Sequence, residues 1–244
     1  MLKLEKQFSN LNKKQLMTKL RDYIRESSSR AQKRKRYFFL FGNVPVYVKE
    51  PITNGVDIIN VLKTVEESVP RSMAYNLEMI VVGNMPEFER MGTNAMFKDG
   101  TIYIINEQDD EADMVDDIVH ELAHSVETFA GAEIYGDGLV EQEFLRKRTK
   151  MFDILNSEGY NIPARYFLDT EFDQDFDAFL YQIVGYPMLM TLTMGIFISP
   201  YAMTSLREYC ARGFENYYIK DRAYLAKISP MLYSKIEELE AKLT

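Results

Sequence analysis

The 244-residue sequence has no tryptophan, a single cysteine and two histidines. One thiol, Cys210, cannot form an intrachain disulfide, so the cysteine usage gives no indication of an oxidising compartment. The N-terminal residues lack the apolar core of a secretory signal peptide. The longest apolar stretch, residues 183–198, is broken by glycine, proline and threonine and is too short to span a bilayer. We therefore expect a cytoplasmic protein, or one packaged in a particle made in the cytoplasm, with no membrane segment.

Charge is distributed unevenly along the chain. Residues 1–50 carry 13 Lys and Arg against 4 Asp and Glu, whereas residues 51–244 carry 16 against 33. A basic segment can bind nucleic acid through its phosphates, or it can contact the acidic remainder of the chain. No nucleic-acid-binding motif accompanies the basic residues of 1–36. We treat 1–50 as a basic helix-and-strand extension and 51–244 as the main domain.

Hydrophobic periodicity predicts a small mixed sheet followed by a largely helical C-terminal half, which is an α+β fold. We expect short strands within residues 36–51, a strand at 77–82, and a hairpin at 95–105 that turns at Asp99–Gly100. The predicted helices span residues 11–35, 56–69, 112–131, 139–157, 171–184, 204–219 and 229–242. Gly131 is the expected end of the helix that begins at residue 112.

Both histidines lie in the stretch DDIVHELAHSVE, residues 116–127. His120 and His124 are four residues apart, so they share one face of a helix and can chelate one metal ion. Glu121 between them can act as general base toward a water bound to that ion. This H-E-x-x-H order is typical of zinc peptidases. The simpler alternative is a pair of histidines that bind no metal.

A catalytic zinc site needs a third protein ligand. Because both histidines are used, that ligand must be a carboxylate, and the sequence offers Asp137, Glu141, Glu143, Glu208 and Glu215. We favour Glu208, because a helix from about Ser205 carries it on one face with Glu215, and the small Ala211 permits close approach to the histidine helix. The alternative for Glu208 is a capping box with Ser205. Glu215 is a reserve ligand or a residue that supports one.

The HELAH motif together with Tyr201 and the segment EYCARGFE, residues 208–215, resembles the catalytic domain of anthrax lethal factor and its relatives. These relatives include short metallopeptidase-like proteins of bacteriophages and mobile elements. The resemblance covers about residues 95–225. It rests on an E-[FY]-x-A-x-[AG]-F pattern that begins at Glu208, and it departs at Arg212, where lethal factor has an acidic residue.

The resemblance implies a zincin-like fold in which His120, His124 and Glu208 bind Zn²⁺. It also implies that Tyr201 donates a hydrogen bond to the oxyanion and that Glu121 is the base. The implied function is zinc-dependent hydrolysis of a peptide or protein substrate, in a bacterial host cytoplasm or a phage particle. The alternative is a phage particle or assembly protein whose zinc site is not used for hydrolysis.

Two further expectations concern the surroundings of the metal site. Asp116 and Glu127 lie near the histidine face and could orient the ligands. The strand at residues 101–105 precedes the histidine helix, and we expect it to be the edge strand to which a substrate peptide pairs. An interior position for this strand is the alternative.

Overall fold

The computed structural model describes residues 17–18, 21–24 and 36–243. The chain divides into two compact units, residues 1–38 and 39–244. In the first unit, residues 17–18 and 21–24 are helical. Most of the predicted basic helix at 11–35 lies outside the described residues. The predicted nucleic-acid contact through 1–36 falls largely on those same residues and stays a prediction.

Five short strands form one mixed sheet with the order β1-β2-β3-β5-β4. β2 is parallel to β3 and β3 is parallel to β5, whereas β4 is antiparallel to β5. The register places Val46 beside Ile80 and Ile80 beside Ile102, and all three side chains are fully buried. The strands are β1 (Tyr37–Leu40), β2 (Val44–Val48), β3 (Met79–Val82), β4 (Ala95–Lys98) and β5 (Thr101–Ile104).

The helices follow mainly after the sheet, which confirms the α+β class. The α-helices are α1 (Ile58–Ser68), α2 (Pro86–Met91), α3 (Glu111–Tyr135), α4 (Leu139–Ser157), α5 (Gln174–Ala178), α6 (Tyr186–Leu192), α7 (Leu206–Ile219), α8 (Arg222–Ile228) and α9 (Pro230–Leu243). Single 3₁₀ turns span Arg71–Ala74, Ala164–Phe167 and Tyr201–Met203, and a π-helix spans Phe179–Val184. Within the described residues, no helix is both long and apolar enough to cross a membrane.

Helix α3 carries the histidines and lies at the centre of the molecule's second unit. It contacts α1, β4 and β5 on its apolar side and α7 on its histidine side. Ile118, Val119 and Leu122 are fully buried, and burial of each such side chain contributes about 1.5–3 kcal/mol to folding. The helix begins at Asp110, whose carboxylate accepts a hydrogen bond from the Asp113 backbone N–H. Both faces of α3 are therefore fixed by packing.

The predicted end of this helix at Gly131 is wrong, because α3 continues to Tyr135 and ends at Gly136. Gly131 does not have a positive φ, and a Cβ built there would meet no atom within 4 Å. The residue is thus an ordinary interior helix position. The predicted helix at 171–184 is observed as α5 followed directly by the π-helix.

The expectation that residues 101–105 form the edge strand is also wrong. β5 lies between β3 and β4, and β4 is the edge strand at this side of the sheet. The reason is that β3 pairs with one side of β5, while the tight turn at Asp99 and Gly100, with φ values of 49° and 75°, folds β4 onto the other side. β4 therefore pairs with the outer side of β5, while β3 pairs with the inner side.

Candidate metal centre

The two imidazoles project from one face of α3 toward α7. Their ring centroids are 5.0 Å apart and the ring planes are inclined by 83°. His120 and His124 are nearly buried, with side-chain exposures of 12% and 11%. This burial follows from the packing of α7 against the histidine face of α3. The rings are therefore held in place rather than free in solvent.

Helix α7 brings Glu208 to the histidines. Its Oε2 lies 3.1 Å from His120 Nε2, and its Oε1 lies 3.5 Å from His124 Nε2. The side chain of Ser205 accepts a hydrogen bond from the Glu208 backbone N–H at 3.1 Å, which begins the helix. The cap thus uses the Glu208 backbone, and the carboxylate stays directed at the imidazoles.

The ligand atoms of His120, His124 and Glu208 all lie within 4.8 Å of one another. In the described part of the chain, these three residues form the group of His, Cys, Asp and Glu that could hold a metal ion. Ala211 is buried on α7 and lines a cavity of about 20 Å³ together with Ala123 and His124 of the neighbouring α3. The small side chain is consistent with the expected close approach of the two helices.

The structure places the other sequence candidates for a third ligand elsewhere. Asp137 pairs with Lys235 at 2.7 Å, and Glu141 is exposed. Glu143 accepts hydrogen bonds from the Tyr209 hydroxyl and from the backbone N–H groups at the start of α9. None of these three carboxylates belongs to the histidine cluster.

Glu215 lies outside the candidate ligand group and contacts His120 at Nδ1, the ring nitrogen that does not face Glu208. Its Oε1 lies 2.6 Å from His120 Nδ1, and the side chain has no exposed surface. Arg212 Nη1 and Lys220 Nζ each lie 3.0 Å from Glu215 Oε2. Asp116, the expected support residue, instead pairs with Lys220 at 2.7 Å. The support for His120 is therefore a buried carboxylate held by two cations.

Glu127 supports His124 in a similar but looser way. Its Oε2 lies 3.7 Å from His124 Nδ1. The same carboxylate accepts hydrogen bonds from the Tyr135 hydroxyl and from Arg207 Nε. Each histidine thus has a carboxylate on its Nδ1 side and Glu208 on its Nε2 side.

These contacts show that the three residues suit a cation. A carboxylate behind Nδ1 favours the proton on Nδ1, which leaves the Nε2 lone pair facing Glu208. Glu208 Oε2 is buried, and with the His120 proton on Nδ1 it receives no hydrogen bond from the described residues. A buried carboxylate oxygen without a donor is costly unless another positive group satisfies it. Two imidazole nitrogens and one carboxylate are a donor set that zinc accepts, so the residues fit the ion.

The charges of the site shift the pKa values of its members. Burial would lower the pKa of His124, but the carboxylates of Glu127 and Glu208 outweigh burial and raise it to about 9. The pKa of His120 is raised for the same reasons, with Glu208 and Glu215 as the partners that oppose burial. Burial would raise the pKa of Glu208, but the two histidines hold it well below its usual range. Without a metal ion, the cluster therefore retains protons on its histidines.

Glu121 lies between the histidines and the edge strand β4. It is 6% exposed, and burial raises its pKa, while the two histidines oppose that rise. The backbone N–H of Phe97 on β4 donates a hydrogen bond that favours the ionised carboxylate. This arrangement places a buried carboxylate beside both the candidate metal ligands and the open edge of the sheet.

Tyr201 lies near His120, in the 3₁₀ turn before α7. Its ring centroid is 6.4 Å from that of His120. Burial, followed by the charges of Glu208 and Asp177, raises the Tyr201 pKa well above its usual value, and Arg212 opposes the rise. The phenol therefore keeps its proton at neutral pH and can donate a hydrogen bond.

Arg148 of α4 fixes this turn and the start of α7. The guanidinium is fully buried and donates to the backbone carbonyls of Met203 and Thr204. It also donates to the carbonyls of Tyr166 and Asp169 in the preceding loop. Burial lowers the Arg148 pKa to about 10. One side chain thus ties together the loop segments that set the positions of the tyrosine turn and of the Glu208 helix.

Sequence reasoning missed several residues near the site. The Tyr186 hydroxyl of α6 donates a 3.4 Å hydrogen bond to Asp177 of α5 beside Tyr201. Both residues are far from the histidines along the chain, so no sequence pattern linked them to the site. Asp117 is a half-buried carboxylate whose pKa is raised to about 6 by desolvation, and it accepts a hydrogen bond from Gln108. Its place one helical turn before Glu121 was readable from the i, i+4 spacing.

No model of a known protein family, no curated protein and no solved structure matches this chain. The function is therefore inferred from the geometry of the site and from the residues that form it.

Proposed function

We propose that the protein is a zinc-dependent peptidase with a zincin-like catalytic domain. The observation that carries this proposal is the convergence of His120, His124 and Glu208, with the buried Glu121 next to them. A purely structural metal site has no need of an additional buried carboxylate at that position. The resemblance of the HELAH and EYCARGFE segments to the lethal factor catalytic domain supports the same conclusion.

The proposed chemistry assigns one task to each group. When bound, zinc supplies Lewis acidity that lowers the pKa of a water ligand to about 7 and polarises a carbonyl. Glu121 accepts a proton from the attacking water and returns it to the leaving amine, and its raised pKa suits both transfers. The protonated phenol of Tyr201 donates a hydrogen bond to the negative oxygen that develops during attack.

The edge strand β4 supplies a binding surface for an extended peptide. Its register with β5 pairs Met96 with Tyr103 and Phe97 with Ile102. The Ile105 backbone N–H bonds to the Asn94 carbonyl, and alternation along an antiparallel ladder then directs the Phe97 backbone groups away from β5. The Phe97 N–H reaches Glu121. A peptide that pairs with the β4 edge would therefore pass beside the proposed base.

The proposal is tested with Glu121→Gln, which removes the base but keeps the volume of the side chain. Zinc content is measured by elemental analysis, and cleavage is measured on a diverse fluorogenic peptide library. We expect the variant to retain about one zinc per chain and to lose cleavage by at least about 10²-fold. Equal cleavage by variant and wild type would contradict the mechanism.

The same experiment addresses the alternative of an assembly protein with a zinc site. Wild-type protein that binds zinc but cleaves no member of the library, and that purifies as a stoichiometric part of a particle, would favour that alternative. Wild-type protein that cleaves would favour the peptidase, whether or not it is part of a particle.

A further inference from the structure

Arg212 has an N–H donor that meets no acceptor in the described part of the chain. It lies one turn after Glu208 on α7, and its Nη1 bonds to the buried carboxylate of Glu215. Its Nε is buried and, in the part of the chain that the structure describes, has no hydrogen-bond partner. The side chain as a whole is 30% exposed. A guanidinium carries five N–H donors in a rigid fork, and among the described residues the acceptor that Arg212 meets is Glu215, through Nη1.

The position of the guanidinium relates it to Tyr201 as well as to Glu215. Its central carbon lies 5.5 Å from the centroid of the Tyr201 ring. The charges of Glu208 and Asp177 raise the pKa of Tyr201, and the positive charge of Arg212 lowers it. Arg212 also lowers the pKa of Tyr186. The guanidinium therefore brings positive charge close to the Tyr201 ring.

The contact with Glu215 fixes the guanidinium in this position. Glu215 has no exposed surface, and it is held in turn by His120 and Lys220. Lys220 is the second cation on this carboxylate, but its other partner is Asp116. Arg212 and Lys220 thus share the task of neutralising Glu215, whereas the contact with the Tyr201 ring belongs to Arg212.

We propose that Arg212 is a further catalytic residue, whose guanidinium stabilises, together with the Tyr201 hydroxyl, the oxyanion formed when a peptide carbonyl is attacked. This inference rests on the proposed peptidase function. Arg212 provides a positive charge and N–H donors, and preorganised donors of this kind are effective because they need no rearrangement during the reaction. The same group provides a site for a tetrahedral anion beside the metal ligands.

The test compares Arg212→Gln with Lys220→Gln, since both variants remove one cation from Glu215 but only the first removes the charge beside Tyr201. Arg212→Lys is the conservative variant that retains charge without the fork. For each protein, zinc content, kcat and KM on a cleaved library peptide, and binding of inorganic phosphate to the zinc-loaded protein are measured. Calorimetry gives the phosphate affinity and needs no substrate.

We expect Arg212→Gln to keep its zinc, to lower kcat by about 10²-fold with KM changed less than about twofold, and to weaken phosphate binding by at least about tenfold. At saturating zinc, Lys220→Gln should lower kcat and phosphate affinity less than Arg212→Gln does, because it removes a cation from Glu215 but leaves the charge beside Tyr201. Arg212→Lys should fall between Arg212→Gln and wild type in both measurements.

Equal effects of Arg212→Gln and Lys220→Gln would overturn the inference and would assign Arg212 to the support of Glu215 alone. Unchanged phosphate affinity in Arg212→Gln, or no phosphate binding by the zinc-loaded wild type, would also overturn it. These outcomes leave the peptidase proposal intact where wild type cleaves peptides. Failure of the wild type to cleave any peptide would instead count against the peptidase function.

Discussion

His120 donates a hydrogen bond from Nδ1 to Glu215, with 2.6 Å between the nitrogen and Oε1. Burial would raise the Glu215 pKa, but His120, Arg212 and Lys220 hold it below its usual value, so the group is an ionised acceptor. An ionised carboxylate cannot donate, and the imidazole must therefore supply the proton. This contact sets the tautomer of His120 and leaves its Nε2 available as a ligand.

The variant Glu215→Gln tests the importance of this contact. We expect zinc affinity to fall by about 10–100-fold, because the amide lacks the charge that fixes the imidazole tautomer. Glu127→Gln is the matched control, since its carboxylate lies 3.7 Å from His124 Nδ1 and should support it less strongly. Competition titration with a chelator measures both affinities. A larger loss in the Glu127 variant would contradict the assignment of Glu215 as the main support.

Zinc binding should release protons. The His124 pKa is raised to about 9, because Glu127 and Glu208 outweigh the effect of burial, and the metal-free ring is therefore protonated at pH 7.5. A metal ion at Nε2 displaces that proton, so apparent affinity should rise with pH up to about 9 and then level off. Calorimetry in buffers of different ionisation enthalpy should give at least about one proton per zinc at pH 7.5. A heat of binding independent of the buffer would refute this.

The close approach of α7 to α9 predicts a stability effect at Gly213. A Cβ built there would lie 2.3 Å from Leu232 Cδ2, so Gly213→Ala requires the buried Leu232 side chain to shift. We expect the free energy of unfolding to fall by about 1–3 kcal/mol. Gly131→Ala in α3 is the control, because its Cβ meets nothing within 4 Å and it should be neutral or stabilising by up to about 1 kcal/mol. Urea denaturation measures both, and a stabilised Gly213→Ala would contradict the packing.

The sequence correctly predicted the elements that have a local turn signal or a repeating hydrophobic pattern. The hairpin at Asp99–Gly100 and the helices α3, α4, α7 and α9 follow from turn chemistry and hydrophobic period. The short helices α2, α6 and α8, of six or seven residues each, were not predicted, because two turns are too few to show a period. Local patterns therefore gave the long elements and their order.

The sequence did not predict features that depend on strand order or on contacts between distant parts of the chain. Whether β4 or β5 forms the edge depends on β3, which pairs with β5 from an earlier part of the chain. The histidine pair was readable from its spacing. The separate roles of Glu208 and Glu215 were not fixed by spacing, because both lie on α7, and only packing against α3 separates the group facing Nε2 from the group facing Nδ1.

The most direct test of the account is the zinc content of purified wild type beside Glu208→Ala, measured by elemental analysis after dialysis without chelator. Glu141→Ala is the matched control, since that carboxylate is exposed and lies outside the cluster. The account predicts about one zinc per chain in wild type and in the control, and a sharp loss in Glu208→Ala. Wild-type protein that holds no zinc, even after zinc is added back, would contradict the proposed metal site and the peptidase mechanism built on it.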